Sequence, residues 1–209
     1  MSSRVFEGAT VLITGASSGI GEAFAHSLAK KGAHLILTAR SEDKLVQVAE
    51  ALRRKYGVSV HVFPVDLVLP DAPRQLMERI KAVGLRVDVL VNNAGFGKWA
   101  HFLNESLDTY DQMLSLNMDA LVKLTYLCVP DMLAYGKGGV INVASTASFQ
   151  PIPYQAVYAA SKAFVLNLTE ALAGEYRGRG VHFLALCPGN TATNLSLIHI
   201  SEPTRLGMI

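Results

Sequence analysis

The stretch Thr14-Gly15-Ala16-Ser17-Ser18-Gly19-Ile20-Gly21 decides how the chain is read. It follows an apolar, β-prone run, Ala9 to Thr14. It opens onto Ile20 to Lys31, where Phe24, Ala25 and Leu28 share one helical face. A glycine-rich turn between a first strand and a helix is the setting of a phosphate-binding loop. Glycines let the backbone turn tightly and approach a diphosphate closely. The helix adds unpaired N–H groups and the positive end of its dipole. A glycine turn with no ligand looks the same in isolation, so the rest of the chain has to arbitrate.

Working outward, strand-like and helix-like stretches alternate. His34 to Ala39 predicts a second strand, Glu42 to Tyr56 a helix, and Val58 to Val65 a third strand. Pro70 to Val83 predicts a helix with Leu76, Ile80 and Val83 inward, and Val87 to Val91 a fourth strand. A long helical stretch follows from Leu107 to Tyr135, which Pro130 either kinks or restarts. Val140 to Ala144 and Val181 to Cys187 predict the fifth and sixth strands, with a helix from Tyr154 to Tyr176 between them. Continuous apolar runs belong to parallel strands covered on both faces. The alternation therefore predicts an α/β fold with a doubly wound parallel sheet of about six strands.

The bulk properties narrow the function. The 209 residues are half hydrophobic, with a net charge of +2 and no basic or acidic block. Nothing calls for nucleic acid or an anionic membrane surface. No apolar run reaches the ~20 residues of a membrane span, and the first residues lack a signal-peptide core. A cytoplasmic protein is expected. Cys128 and Cys187 are far apart and read as small core residues rather than a disulfide or a zinc pair. The six histidines form no ligand cluster, and no metal is expected.

The loop spacing is T-G-x-x-x-G-x-G, not G-x-G-x-x-G, and in this it resembles the short-chain dehydrogenase/reductase family. Further motifs carry the resemblance over residues 8 to 193. Asn92-Asn93-Ala94-Gly95 follows the fourth strand. Tyr158-Ala159-Ala160-Ser161-Lys162 places tyrosine and lysine at i and i+4, on one helical face. Ser145 lies thirteen residues before Tyr158, at the end of the fifth strand. The resemblance implies a three-layer Rossmann-type sheet and hydride transfer between a nicotinamide and a carbonyl or alcohol. It also implies a dimer or tetramer built through the two long helical stretches.

Residue by residue, the resemblance implies that Gly15, Ser17, Ser18, Gly19, Ile20 and Gly21 hold the cofactor's phosphates. Asp66 and Leu67 would contact the adenine. Asn93, Ala94 and Gly95 would line the adenosine ribose, with Asn93 the chosen contact. Pro188 and Gly189 would lie under the nicotinamide, with Thr191 or Thr193 on its carboxamide. In the catalytic set, Tyr158 exchanges the proton and Lys162 lowers its pKa and holds ribose hydroxyls. Ser145 bonds the substrate oxygen, and the Asn117 amide holds a water for proton relay.

Cofactor choice rests on the end of the second strand, Leu37-Thr38-Ala39-Arg40-Ser41. No carboxylate stands there to accept from a ribose 2′-hydroxyl. Arg40 can pair with a 2′-phosphate, so NADP(H) is expected.

Two other readings stay open. One is an NADP(H)-binding or sensing module without catalysis. The other is a sugar-nucleotide epimerase or dehydratase, whose usual loop is T-G-x-x-G-x-x-G. Phe96, Trp99, Phe102, Phe149 and Tyr154, near the strand ends, fit either an apolar substrate surface or ordinary packing, and His101 is a further pocket candidate.

The family continues past Thr193 with helices and a last strand, which Leu195 to Ile209 does not resemble. Leu195 to Arg205 matches a translation of the transposase adapter used in short-read library preparation. The expectation is one cofactor-binding and catalytic domain over 1–194 and a non-native tail over 195–209.

Overall fold

The computed structural model describes residues 6–189. Strands and helices alternate as β1 (Thr10–Thr14), α1 (Gly19–Ala29), β2 (His34–Ala39), α2 (Glu42–Tyr56), β3 (Val60–Pro64) and α3 (Ala72–Ala82). They continue as β4 (Val89–Asn92), α4 (Leu107–Leu114), α5 (Ala120–Ala134), β5 (Gly138–Val143), α6 (Ala156–Glu175) and β6 (Val181–Leu186). All neighbours pair in parallel, in the order β3-β2-β1-β4-β5-β6.

The layering follows from the alternation of side chains along buried strands. Leu12, Ile36 and Leu90 face one way and pack with Leu76 and Ile80 of α3 and Leu124 and Cys128 of α5. Val11, Ile13, Leu35, Leu37 and Val91 face the other way, against Ala25 and Leu28 of α1 and Leu45 and Leu52 of α2. Both sets are buried, which is why the sequence shows runs rather than alternation. The strand order reverses between β1 and β4. Beyond their carboxyl ends lies the crevice where ligands bind in open α/β sheets.

One buried polar chain crosses this core. Asn92 of β4 donates to Asn142 of β5 (2.9 Å) and to Thr125 of α5 (3.1 Å). Asn142 in turn donates to Thr169 of α6 (2.9 Å). Paired polar groups in a dry interior fix one arrangement of their elements, so α6 is registered on the sheet by more than apolar packing.

Four expectations need correction. Val83 lies past the last turn of α3, beside the turn at Gly84, and is 59% exposed rather than inward. The helical stretch runs unbroken from Leu107 to Ala134, and its irregularity is a π-turn rather than a new start at Pro130. The π-turn, at Ser115–Asp119, joins α4 to α5, with the Ala120 N–H bonded to the Ser115 carbonyl, while Pro130 sits inside α5 without ending it. The sixth strand alternates: Val181 is buried, but His182, Leu184 and Leu186 are exposed. It is the edge strand of the described sheet, and its face bearing His182, Leu184 and Leu186 is exposed. Cys128 is in the core as expected, whereas Cys187 is only half-buried.

Candidate active site

The glycine loop is built on β1. Gly15 and Gly19 have φ of +65° and +60°, the left-handed region that side chains resist. They bend the chain from strand into helix. Gly21 packs α1 onto the loop, since a Cβ there would run into the Gly15 carbonyl oxygen. Ser18 is the N-cap of α1, yet its side chain makes no capping hydrogen bond. The first turn thus keeps its donors for a ligand.

Thr14, the residue before the first glycine, organises the crevice, a role its place in the motif did not reveal. Its buried hydroxyl accepts from the N–H groups of Asn93 and Ala94, both at 2.9 Å, and so joins the ends of β1 and β4. Asn93 completes the tie. Its side-chain amide donates to the carbonyls of Thr14 (2.9 Å) and Gly15 (3.2 Å). That uses both of its N–H groups on the loop itself. Asn93 is a brace, and any direct cofactor contact falls to its carbonyl oxygens.

At the next strand ends, Arg40 is exposed and has no ion-pair partner among the described residues. Asp66 accepts from the Val68 N–H at 3.1 Å, a local turn that leaves its other oxygen free. Leu67 is buried in the core beside Leu12 and Leu76, so a contact there comes only from its backbone.

The catalytic candidates converge at β5, α6 and the loop after β4. Ser145 caps a short 3-10 turn, Thr146–Phe149, where its hydroxyl accepts from the Ala147 N–H (3.1 Å). Ser148 accepts from the Ser145 N–H (3.3 Å) and donates to the Lys162 carbonyl (2.8 Å), linking the backbones of two candidates. Pro188 closes the far side, where its carbonyl accepts from the Thr146 N–H (3.0 Å), and a Cβ placed on Gly189 would stand 4.0 Å from the Thr146 methyl. Thr191 and Thr193 lie outside the described residues.

Burial raises the phenol pKa of Tyr158, and a hydrogen bond with Ser145 pulls it back. The expected lowering by Lys162 is not found. The Lys162 ammonium donates to the Val143 carbonyl (2.8 Å) and sits 5.9 Å from the Tyr158 ring centre. Burial pushes the lysine itself down, to about 8. Desolvation outweighs pairing because only one acceptor meets an ammonium with three donors.

Asn117 sits in the π-turn, a feature often found at functional sites. Its Oδ1 accepts from the Phe96 N–H and its Nδ2 donates to the Phe96 carbonyl, both at 3.0 Å. The second Nδ2 hydrogen goes to Ser161 (3.1 Å), which donates to the Tyr158 carbonyl (2.7 Å). Both amide hydrogens are therefore committed to protein. The relay water expected on that amide has only the second lone pair of Oδ1 to bind. Ser161 is a site residue that spacing did not single out, and Phe96, expected only as a pocket or packing aromatic, joins the site through its backbone.

The chain is similar to known proteins over most of its length. The short chain dehydrogenase family model matches residues 9–199. A very-long-chain 3-oxoacyl-CoA reductase of Anas platyrhynchos is 37% identical over 203 residues, covering 94% of this chain and 64% of that protein. A 17-beta-hydroxysteroid dehydrogenase type 3 of Mus musculus is 33% identical over 192 residues, 90% of this chain and 62% of the other. The chain thus spans less than two thirds of these relatives. Among solved structures, a short-chain dehydrogenase from Sphingobium yanoikuyae in complex with NADPH superposes with a TM-score of 0.85 at 34% identity, covering 90% of this chain and 73% of the other. L-sorbose reductase from Gluconobacter frateurii, complexed with NADPH and L-sorbose, gives 0.86 at 33% identity, with 92% and 73% covered. With the loop, the Asn-Asn-Ala-Gly brace and the Ser145–Tyr158–Lys162 group all in place at the strand ends, the chain belongs to the short-chain dehydrogenase family.

Proposed function

We propose that the protein is an NADP(H)-dependent oxidoreductase that reduces a carbonyl on a largely apolar substrate, with Tyr158 as proton donor. The observation that carries this reading is the convergence of Ser145, Tyr158 and Lys162 at the carboxyl end of β5: Ser148 ties the Ser145 backbone to that of Lys162, and the buried Lys162 ammonium lies 5.9 Å from the Tyr158 ring centre.

The residues present fit the cofactor. Gly15 to Gly21 and the uncapped start of α1 would hold the diphosphate. Arg40, unpaired among the described residues, would take the 2′-phosphate, and Lys162, with donors to spare, the ribose hydroxyls. Asp66, the Leu67 backbone, Pro188 and Gly189 would frame the two rings. Bound there, NADPH supplies the hydride.

The protein's own part is acid catalysis and positioning. Ser145 hydrogen-bonds the carbonyl oxygen as negative charge grows on it. Tyr158 then delivers its proton to that oxygen. Burial keeps the phenol protonated at neutral pH, the form that proton donation requires. Asn117 and Ser161 hold the α6 backbone at Tyr158, while Ser148 sets Ser145 against Lys162.

The substrate class draws on two supports. Trp99, Phe102, Phe149 and Tyr154 are all exposed, which favours the substrate-surface reading over packing. The related proteins include a very-long-chain 3-oxoacyl-CoA reductase and a hydroxysteroid dehydrogenase. The intact Ser145–Tyr158–Lys162 group disfavours a pure binding module, and the loop spacing disfavours an epimerase.

The test is NADPH oxidation with a 3-oxoacyl thioester, a 17-ketosteroid and a sugar ketone, run on the parent chain and on Tyr158→Phe. Turnover of the apolar carbonyls is expected. The variant should lose ~10²–10⁴-fold in kcat while binding NADPH as before. A Tyr158→Phe protein with the parent rate would end the acid-catalysis reading. Turnover confined to the sugar ketone would end the apolar-substrate reading.

A further inference from the structure

The loop after β4 carries two glycines whose missing side chains matter for different groups. At Gly95, a Cβ would stand 2.8 Å from the Asn117 amide oxygen and 3.5 Å from the Lys162 ammonium nitrogen. At Gly97, it would stand 2.8, 3.0 and 3.2 Å from Cδ2, Cγ and Cε2 of Tyr158. Real Cβ atoms do not sit that close, and the atoms met are a half-buried aromatic ring with little freedom to yield. Neither glycine has a positive φ, so turning the chain is not what requires them. The requirement is space, and at Gly97 the space is filled by the phenol ring.

The loop cannot easily retreat, because it is held on both sides of Gly97. On one side, Phe96 exchanges two hydrogen bonds with the Asn117 amide at 3.0 Å. On the other, the Ala100 N–H donates to the Tyr154 carbonyl at 2.9 Å. Trp99 stacks on Tyr154 with ring centres 5.7 Å apart, and His101 meets the same ring edge-on at 4.8 Å. Tyr154 is itself at φ +66°, the sole positive value among the described residues other than glycine. A tyrosine is held in that region only where its surroundings over-determine it. The segment 152–155 leads directly into α6, which bears Tyr158.

We infer that Gly97 is a positioning residue for Tyr158. Its bare backbone, clamped between the Asn117 tie and the Trp99–Tyr154 stack, presses on the phenol ring and aims the hydroxyl at Ser145. The role rests on the reading of Tyr158 as the proton donor, but the geometry can be tested without turnover.

The test compares the parent chain with Gly97→Ala, Tyr158→Phe, the double variant and Trp99→Ala. Gly174→Ala serves as the control, since that glycine on α6 has open space around it. Circular dichroism establishes folding. The tyrosinate absorbance, parent minus Tyr158→Phe, isolates the titration of Tyr158. In the parent it should ionise above the ordinary phenol value. In Gly97→Ala the loop is pushed off the ring, water enters, and the midpoint should fall toward about 10. With NADPH and the best carbonyl of the panel above, Gly97→Ala should lose ~10²-fold in kcat, the effect of about an ångström of misplacement. KM should stay within about threefold, and the loss should vanish in the Tyr158→Phe background. Trp99→Ala, which only loosens the clamp, should move both readouts the same way by less.

If Gly97→Ala folds and leaves the titration and kcat at parent values, the inference is wrong. If Gly97→Ala does not fold, Trp99→Ala decides: a parent-like titration overturns the inference, and a lowered midpoint upholds it. If the parent turns over no carbonyl, the proposed function fails. The titration still decides whether Gly97 positions the ring.

Discussion

Two glycine-rich loops leave neighbouring strands of this sheet, and their glycines answer different demands. After β1, Gly15 and Gly19 sit at positive φ, where the chain itself needs them. After β4, Gly95 and Gly97 have ordinary backbones and make room for Asn117 and Tyr158. The first loop is shaped for a ligand that approaches the backbone. The second is shaped around side chains the protein already owns. The difference also separates what spacing reveals from what it hides. A bend in the chain is a local demand and leaves a local motif. A glycine cleared for a phenol sixty-one residues later leaves no mark in its own neighbourhood.

Substitutions on the two sides should therefore fail differently. The largest effect is expected from Gly21→Ala. Its Cβ collides with the Gly15 carbonyl, a backbone atom that cannot swing away. A loss of about 3 kcal/mol or more in urea-monitored stability is expected, with NADPH affinity falling alongside. Stability within 1 kcal/mol of the parent would mean that α1 does not need its close approach to the loop, and the comparison would break at its firmer end.

Arg40→Asp comes next and should leave folding untouched, since Arg40 is exposed and unpaired among the described residues. Removing a charge-assisted bond to a 2′-phosphate is worth about 1.5–3 kcal/mol. NADPH affinity should drop by roughly 10–100-fold while NADH affinity holds or rises. Equal losses for both nucleotides would remove Arg40 as the discriminator.

The smallest effect is a shift in pH dependence on the β4 side. Burial holds the Lys162 ammonium at about 8, below its unfolded value. Below pH 8 the charged group is buried at full cost. As pH rises from about 8 toward the unfolded value near 10.4, the folded lysine sheds its proton first and that cost is relieved. Lys162→Met should therefore be more stable than the parent at pH 7, by about 1–2 kcal/mol, with the gap closing by pH 10. Catalysis should be lost at the same time. A gap that does not change between pH 7 and 10 would show that burial exerts no such pressure on Lys162.

The sequence was most legible where the chemistry is written over a few residues. The order of strands and helices, the glycine loop, the i,i+4 pair of Tyr158 and Lys162, and Ser145 at a strand end all meet in the structure as expected. Contacts across the sheet were not legible. Thr14 bridging to Asn93 and Ala94, Asn117 spending its amide on Phe96 and Ser161, and Ser148 tying Ser145 to Lys162 depend on distant backbone groups. Nor was the balance of desolvation against attraction, by which burial raises the Tyr158 pKa and lowers that of Lys162. Val83 was misplaced because an apolar period does not say where a helix stops.

The π-turn at Ser115–Asp119 has a consequence of a different kind. An extra residue in a helix acts as a phase shift: everything beyond it is rotated relative to everything before. In α4 only Met113 is buried, whereas α5 presents Leu121, Leu124, Cys128, Val129 and Met132 to the interior. The two segments are continuous in the chain but differ in phase. The change of phase lets α5 keep its apolar face on the sheet while α4 turns most of its residues away, and Asn117 stands at the turn where the phase changes.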